Sequence, residues 1–119
     1  MSVILEGALS IKKAKSDIRV YKILEVFHER LVAPYNSLYT YKPGTNVPDY
    51  PEKYCYYTGE GWLSAYTDKE YAETWKSLLE RDFPEKKYLI YEMTVPKGTE
   101  YIERMDSKEL RSKKLMFIK

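Results

Sequence analysis

Alternating apolar residues predict a β-strand over residues 18–26, where the chain reads IRVYKILEV. One face of this strand carries four apolar residues: Ile18, Val20, Leu24 and Val26. Lys22 is the polar exception on that face. The tripeptide HER that follows can turn the chain into a short partner strand, which must end near Pro34 because proline cannot donate to a ladder.

A helix is predicted from the segment TDKEYAETWKSLLERDF, residues 67–83. Thr67 and Glu70 have the three-residue spacing of a capping box, so we expect the helix to run from about Asp68 to Arg81. Phe83 and the proline after it should end the helix. The apolar positions form one stripe that we expect to pack on a sheet: Tyr71, Ala72, Trp75, Leu78 and Leu79.

The central strand of that sheet is predicted over Lys87–Val95, because both of its faces are largely apolar. Glu92 interrupts this pattern: it either faces solvent near the edge of the sheet or, if buried, needs a partner, for which Arg19 or Lys22 on the first strand is suitable. A Pro-Lys-Gly turn then leads to further strands at residues 99–103 and 113–118. The predicted fold is a single α+β domain, residues 1–119, with a twisted, mainly antiparallel sheet of five or six strands and one main amphipathic helix.

The composition excludes several classes of function but does not identify one. Twenty basic and eighteen acidic side chains leave a net charge of +2, which is too weak a field to favour duplex DNA or RNA or an anionic membrane. The short basic runs IKKAK and RSKK are interpreted as solvated surface. With one Cys and one His the chain cannot form an internal disulfide or a Cys/His zinc site. We therefore predict a cytoplasmic protein without metal, cofactor or catalytic residues.

Tyrosine is strongly over-represented, and it concentrates in the stretch YPEKYCYYTGEGW, residues 50–62, within which residues 54–57 are predicted to form a strand. Rings interleaved with lysine can stack on a nucleotide-like ligand or form a protein interface, and they can also simply fill the edge of a core. All three interpretations stay open. The candidate binding residues are Arg19, Tyr21, Lys42, Lys53, Tyr54, Tyr56, Tyr57, Trp62, Tyr66 and Glu92.

Three segments carry a resemblance to known proteins: GWLSAYTDKEYAETW, IYEMTVPKGTEY and RSKKLMFI. They resemble small uncharacterised proteins of phages and bacteria, in which a glycine-aromatic strand precedes a short helix and a Pro-x-Gly turn leads to a closing strand. The order of elements is also similar, more distantly, to the ADP-ribosyltransferase-like fold, with Arg19–Lys22 as the opening strand and YKPGT as its Pro-Gly turn. The H-G-T-like triplet of those enzymes is absent, since Tyr21, Lys22 and Ile23 occupy its place.

Two functional hypotheses follow. The first is a non-catalytic binding protein of phage or mobile-element origin that engages a host protein or a nucleotide-like ligand through the Tyr-rich segment; an anti-defence role is implied by the resemblance alone. Edge pairing through an exposed YCYY strand would give a homodimer. The alternative is an ADP-ribosyltransferase-like enzyme acting on NAD or a nucleotide, with a pocket formed by Arg19, Tyr21, Tyr66 and Glu92.

Overall fold

A computed structural model of the protein describes residues 11–34, 36–48, 62–104 and 108–118, and for residues 36–38 the backbone alone. The described residues form one helix, α1 (Lys69–Asp82), and a sheet of ten strands. The strands are β1 (Lys12–Lys13), β2 (Ile18–Phe27), β3 (Arg30–Ala33), β4 (Asn36–Tyr41), β5 (Thr45–Asn46), β6 (Leu63–Tyr66), β7 (Tyr88–Val95), β8 (Glu100–Glu103), β9 (Glu109–Ser112) and β10 (Leu115–Phe117). None of the described residues belong to a helix long and apolar enough to cross a membrane.

The broad class, α+β with one main helix and a mainly antiparallel sheet, is confirmed, whereas the predicted number of five or six strands is wrong. Apart from β4, which has six residues, the additional strands are short; β1 and β5 have two residues each and β9 has four. Two to four residues are too few for a period-two alternation to stand out from chance in a sequence.

Strands β2 and β7 form the centre of the sheet and pair antiparallel over eight register positions, from Ile18 opposite Val95 to Glu25 opposite Tyr88. The order across the sheet is β1-β8-β9-β6-β2-β7-β10-β5, so the predicted central position of β7 is confirmed. The last residues of β2 also pair with β3, which in turn pairs with β4. Along the edge that does not face β7, strand β2 therefore has two different partners, β6 and β3.

The turn between β2 and β3 consists of His28 and Glu29, which both have positive φ, 50° and 65°. Phe27 lies opposite Arg30, so the connection has two residues, and positive φ at both is the signature of a type I′ turn. The hairpin that the sequence predicted at HER is therefore confirmed, although neither turn residue is the glycine or asparagine that such a turn usually carries.

Two hydrophobic clusters lie on opposite faces of the sheet. Val20 and Leu24 of β2 belong to the larger cluster, together with Met93 of β7, and all three are fully buried. Ile23 of β2 belongs to the smaller cluster, which includes Ala72 of α1. The period-two alternation of a strand thus divides β2 between a helix-covered face and a face that the other strands cover.

Helix α1 begins one residue later than predicted. Its N-cap is Asp68, whose carboxylate accepts from the backbone N–H of Glu70 at 3.0 Å. The capping box predicted at Thr67 is wrong, because the Thr67 hydroxyl instead donates to the backbone carbonyl of Lys108. Lys108 also donates to the Asp68 carboxylate at 2.7 Å. At the other end, Phe83 caps the helix, as predicted.

Substitution of Asp68 tests its assignment as the N-cap of α1. The hydrogen bond from Lys108 holds the pKa of Asp68 below its usual value, so the charged cap stabilises the fold at neutral pH and that contribution is lost as pH falls through the lowered pKa. We expect Asp68→Ala to lower the Tm at pH 7, and Asp68→Asn to lower it less because an amide oxygen still caps. In thermal unfolding curves, the difference between Asp68→Asn and the wild type should vanish in acid. An unchanged Tm for Asp68→Ala would contradict the cap.

Asn46 anchors the turn that joins β4 to β5. This residue is fully buried, and its side-chain oxygen accepts from the backbone N–H of Lys42 at 2.9 Å and from the Tyr39 hydroxyl at 3.3 Å. Its amide nitrogen donates to the carbonyls of Lys42 and Leu115, at 2.9 and 3.4 Å. Gly44 within the turn has a φ of 89°, where residues with a side chain are strained. The turn is thus held by one amide and needs one glycine.

Candidate functional site

A cavity opens where β2 changes its partner. Strand β6 pairs with β2 at Tyr21, opposite Tyr66, and β3 takes over the same edge from Glu25 onward. None of the described strands pairs with residues 22–24 on this edge. The strands therefore separate at this place, and side chains line the gap instead of a hydrogen-bonded ladder.

The cavity has a volume of about 650 Å³, within the range of small-molecule sites. Helix α1 contributes Trp75 and Leu79 to its wall, and the remaining lining comes from β2, β3, β4, β6 and β9 and from Pro34 and Trp62, which adjoin β3 and β6. The aromatic lining residues are Tyr39, Tyr41, Trp62, Tyr66 and Trp75. The charged lining residues are Lys22, Glu109 and Arg111. An apolar, largely aromatic wall with a few convergent charges is typical of a ligand site.

Lys22 is the most unusual of these residues, because it is a lysine that is only 5% exposed. Its ammonium group donates to the Ser64 hydroxyl at 3.1 Å and lies 5.5 Å from the centre of the Tyr41 ring. It forms no ion pair with any carboxylate of the described residues. Burial lowers the pKa of Lys22 to about 8; Glu109 opposes this shift and Arg111 adds to it.

The tyrosines of β4 line the cavity next to Lys22. The rings of Tyr39 and Tyr41 meet edge to face, with centroids 5.0 Å apart. Tyr41 is almost completely buried, and burial raises the pKa of its hydroxyl well above the usual range. The Tyr41 hydroxyl therefore stays protonated at neutral pH and adds no negative charge beside Lys22.

Arg111 and Glu109 supply the charges on the β9 side. They form an ion pair at 3.1 Å, and a second guanidinium, that of Arg104, approaches Glu109 at 3.9 Å. The Nε of Arg111 is buried and has no hydrogen-bond acceptor among the described residues. Among the described residues that line the cavity, one carboxylate, Glu109, thus stands against the two cations Lys22 and Arg111, and the Nε of Arg111 is a donor without an acceptor.

Comparisons of the chain with protein-family models, with curated proteins and with solved structures found no significant match. The resemblance to small phage and bacterial proteins and to the ADP-ribosyltransferase-like fold therefore stays a prediction. In the described part of the chain, no group of three or more His, Cys, Asp and Glu side chains could hold a metal ion. Function has to be argued from the chemistry of the cavity.

Two of the predicted binding residues, Trp62 and Tyr66, line the cavity. Trp62 is buried, and the ammonium of Lys113 lies over its ring at 5.3 Å from the centroid. Tyr66 contacts the ring of Tyr71 on α1, with centroids 5.4 Å apart. Trp75 is 39% exposed, so the prediction that it packs on the sheet as part of the helix stripe is wrong; it forms part of the cavity wall.

Three other predicted residues lie together on the helix-covered face, outside the large cavity. Arg19 and Glu92 form an ion pair at 3.7 Å, in which both side chains are substantially exposed. The partner predicted for Glu92 is therefore Arg19 and not Lys22. Tyr21 lies opposite Glu92 in register and lines, with Lys69 and Lys76 of α1, a smaller cavity of about 410 Å³.

Of the remaining predicted residues, Lys42 lines neither cavity. Lys42 is exposed and follows β4 directly. Its backbone N–H and carbonyl form hydrogen bonds with the side chain of Asn46. Lys53, Tyr54, Tyr56 and Tyr57 lie outside the described residues, and so does the strand predicted over residues 54–57.

The sequence-based prediction missed most of the cavity. The signal for Lys22 was present, because it is the polar exception on an apolar strand face, but it was interpreted as a partner for Glu92. Arg111 was assigned to a solvated basic run, which is wrong: β9 alternates, so Ser112 is buried and Arg111 lines the cavity. The other basic run, residues 11–15, is largely exposed, as predicted.

Proposed function

We propose that this chain is a small non-catalytic binding protein whose large cavity takes a nucleotide-like ligand. The observation that carries the proposal is the pairing of aromatic walls with unmet cationic donors in one cavity of about 650 Å³. A base can stack on Tyr66 or Trp75, since every base has a π-face. A phosphate can accept hydrogen bonds from Arg111 and Lys22, whose donors outnumber the acceptors that the described residues offer.

The proposal places the site in the cavity instead of the Tyr-rich segment alone. Trp62, the last residue of the stretch YPEKYCYYTGEGW, lines the cavity and links the two. A host protein as the partner stays a prediction, because it depends on Tyr54, Tyr56 and Tyr57, which the structure does not describe. A phage or mobile-element origin and an anti-defence role likewise stay predictions, as does the transferase alternative at Arg19, Tyr21, Tyr66 and Glu92.

A thermal-shift screen tests the ligand class, because a ligand that binds only the native state raises the Tm by mass action. The panel is adenosine, AMP, ADP-ribose, NAD and inorganic phosphate. We expect AMP or ADP-ribose to raise the Tm more than adenosine or phosphate alone, since the cavity offers both aromatic walls and cationic donors. No shift with any member of the panel would contradict a nucleotide-like ligand.

The same binding can be assigned to the cavity by comparing two exposed aromatic residues of similar accessibility. Trp75 is 39% exposed and lines the cavity, whereas Phe83 is 37% exposed and lies outside it. We expect Trp75→Ala to weaken AMP binding about tenfold, because stacking contributes about 1–3 kcal/mol per base. Phe83→Ala should leave the Kd unchanged. Isothermal titration calorimetry checks both, and equal effects of the two substitutions would place the ligand elsewhere.

A further inference from the structure

The Lys22 amine is positioned for covalent chemistry as well as for binding. It lies at the wall of the large cavity, enclosed by β2, β4 and β6, and its hydrogen-bond partner is the neutral Ser64 hydroxyl. No carboxylate of the described residues forms an ion pair with it, and Glu109 only partly opposes the lowering of its pKa by burial. An unprotonated amine is a nucleophile. Lys76 on α1 differs, because it pairs with Glu80 at 2.7 Å.

We propose that Lys22 captures aldehydes that carry an aromatic ring and an anionic group, forming an imine inside the large cavity. The amine nitrogen bonds to the aldehyde carbon, two protons pass from the nitrogen to the carbonyl oxygen, and that oxygen leaves as water. The step needs no oxidant or reductant, and hydrolysis reverses it. The proposal rests on the proposed function in one respect, because both require the cavity to admit a ligand.

The surroundings of Lys22 fit each part of such a ligand. Tyr66 and Trp75 can pack against its ring, and the buried Nε of Arg111 can donate to its anionic group. The Ser64 hydroxyl can accept from the ammonium and donate to the neutral amine, so it can hold Lys22 in either state. Tyr41 contributes an uncharged ring beside the amine. The cavity therefore combines a nucleophile, a stacking surface and an anion donor.

Because Lys22 is buried, a larger fraction of its amine groups is neutral than in an ordinary lysine. With its pKa lowered from 10.5 to about 8, about half of the Lys22 amines are neutral at pH 8. An unperturbed lysine with a pKa of 10.5 has only roughly one neutral amine in 300 at that pH. Selective reaction at Lys22 is therefore expected near pH 8, even against a background of many exposed lysines.

Pyridoxal 5′-phosphate is a suitable probe, since it joins an aldehyde to an aromatic ring and a phosphate. The full chain is incubated with it at pH 8 and reduced with borohydride, which adds hydride to the imine carbon and leaves a stable secondary amine; peptide mass spectrometry then locates the adduct. We expect labelling of Lys22 at least tenfold above that of any exposed lysine. Labelling that follows surface exposure and leaves Lys22 among the least modified lysines would overturn the proposal.

Controls separate this proposal from the proposed function. Lys22→Arg keeps a cation and should abolish the adduct, while Arg111→Gln should weaken labelling by the phosphate-bearing probe more than by pyridoxal. Pyridoxine 5′-phosphate carries an alcohol in place of the aldehyde, so it reports non-covalent binding. If it raises the Tm while Lys22 stays unmodified by the aldehyde, imine formation is wrong and the binding function stands. If neither occurs, imine formation is wrong, and the thermal-shift panel of nucleotides decides the binding function separately.

A second test of the Lys22 amine uses the wild-type protein, so it does not depend on whether the variants fold. Competitive acetylation of all lysines with a trace of acetic anhydride, repeated across pH, yields the titration of each amine. We expect Lys22 to reach half of its maximal reactivity near pH 8, well below the 10.5 of an unperturbed lysine. If Lys22 reaches half of its maximal reactivity only near pH 10.5, or if it does not react at any pH, the amine is not a nucleophile for cavity ligands.

Discussion

Lys22→Met should stabilise the protein at pH 7 by about 2–3 kcal/mol. Burial lowers the pKa of Lys22 from 10.5 to about 8, and each pKa unit corresponds to about 1.4 kcal/mol of unfavourable charge burial. Methionine fills a similar volume without a charge, and its main loss is the hydrogen bond to Ser64, worth about 1 kcal/mol. Replacing a buried charge by an apolar side chain is often stabilising for this reason.

The stabilisation by Lys22→Met should depend on pH. Between pH 8 and 10.5 the unfolded chain binds more protons at Lys22 than the native protein does, so wild-type stability rises with pH through this window. Below pH 8 both states are protonated and the full penalty applies. The advantage of Lys22→Met should therefore be greatest at or below pH 7 and fall progressively toward pH 10.5, as urea unfolding at several pH values can measure.

The matched control for this prediction is Lys97→Met, which alters an exposed lysine outside the cavity. Its effect should stay within about 0.5 kcal/mol at every pH, as is usual for surface positions. If Lys22→Met destabilises the protein by the same amount at pH 7 and pH 10, the cavity stabilises the ammonium and the lowered pKa of Lys22 is wrong.

Asn46→Ala should reduce the free energy of unfolding by about 3 kcal/mol. The substitution leaves the backbone N–H of Lys42 without its acceptor and the carbonyl of Leu115 without its amide donor. A buried polar group that loses its partner costs about 1–3 kcal/mol. The turn around Gly44 joins β4 to β5, so its loosening should also affect the pairing of β5 with β10. Urea unfolding at pH 7 measures the loss.

The neighbouring residue supplies the control. Thr45 is exposed in the same short strand, so Thr45→Ala should change stability by less than about 0.5 kcal/mol. Equal losses for the two substitutions would mean that solvent replaces the bonds of Asn46 and that the amide does not hold the turn.

The long elements could be predicted from the sequence because each carries enough residues to show a period. Strand β2, strand β7 and helix α1 each have eight or more residues, and all three were placed within a few residues of their bounds. The helix cap was misplaced because Thr67 and Asp68 are both suitable cap residues. The choice between them depends on Lys108, which approaches from 40 positions away and pairs with Asp68. No local pattern contains that information.

The candidate site was predicted less well, because it too depends on contacts between residues far apart in the sequence. The pairing of Arg19 with Glu92 could be inferred, because a carboxylate on an apolar strand needs a cation and the opening strand offered one. The cavity arises from the separation of β6 and β3 along one edge of β2, which is a property of strand pairing and not of any segment. Lys22 and Arg111 therefore looked unrelated in the sequence, although they line the same cavity in the fold.

The pairing of β2 with β7 has a consequence for how the chain folds. Ile18 must meet Val95 before the centre of the sheet exists, and the intervening chain includes four further strands and the helix. Such distant contacts slow folding, because the entropy of closing a long loop is lost before the contacts are gained. The hairpin at His28 and Glu29 joins residues close in sequence and is suited to form early. The two long strands should then assemble last, on a scale of milliseconds to seconds.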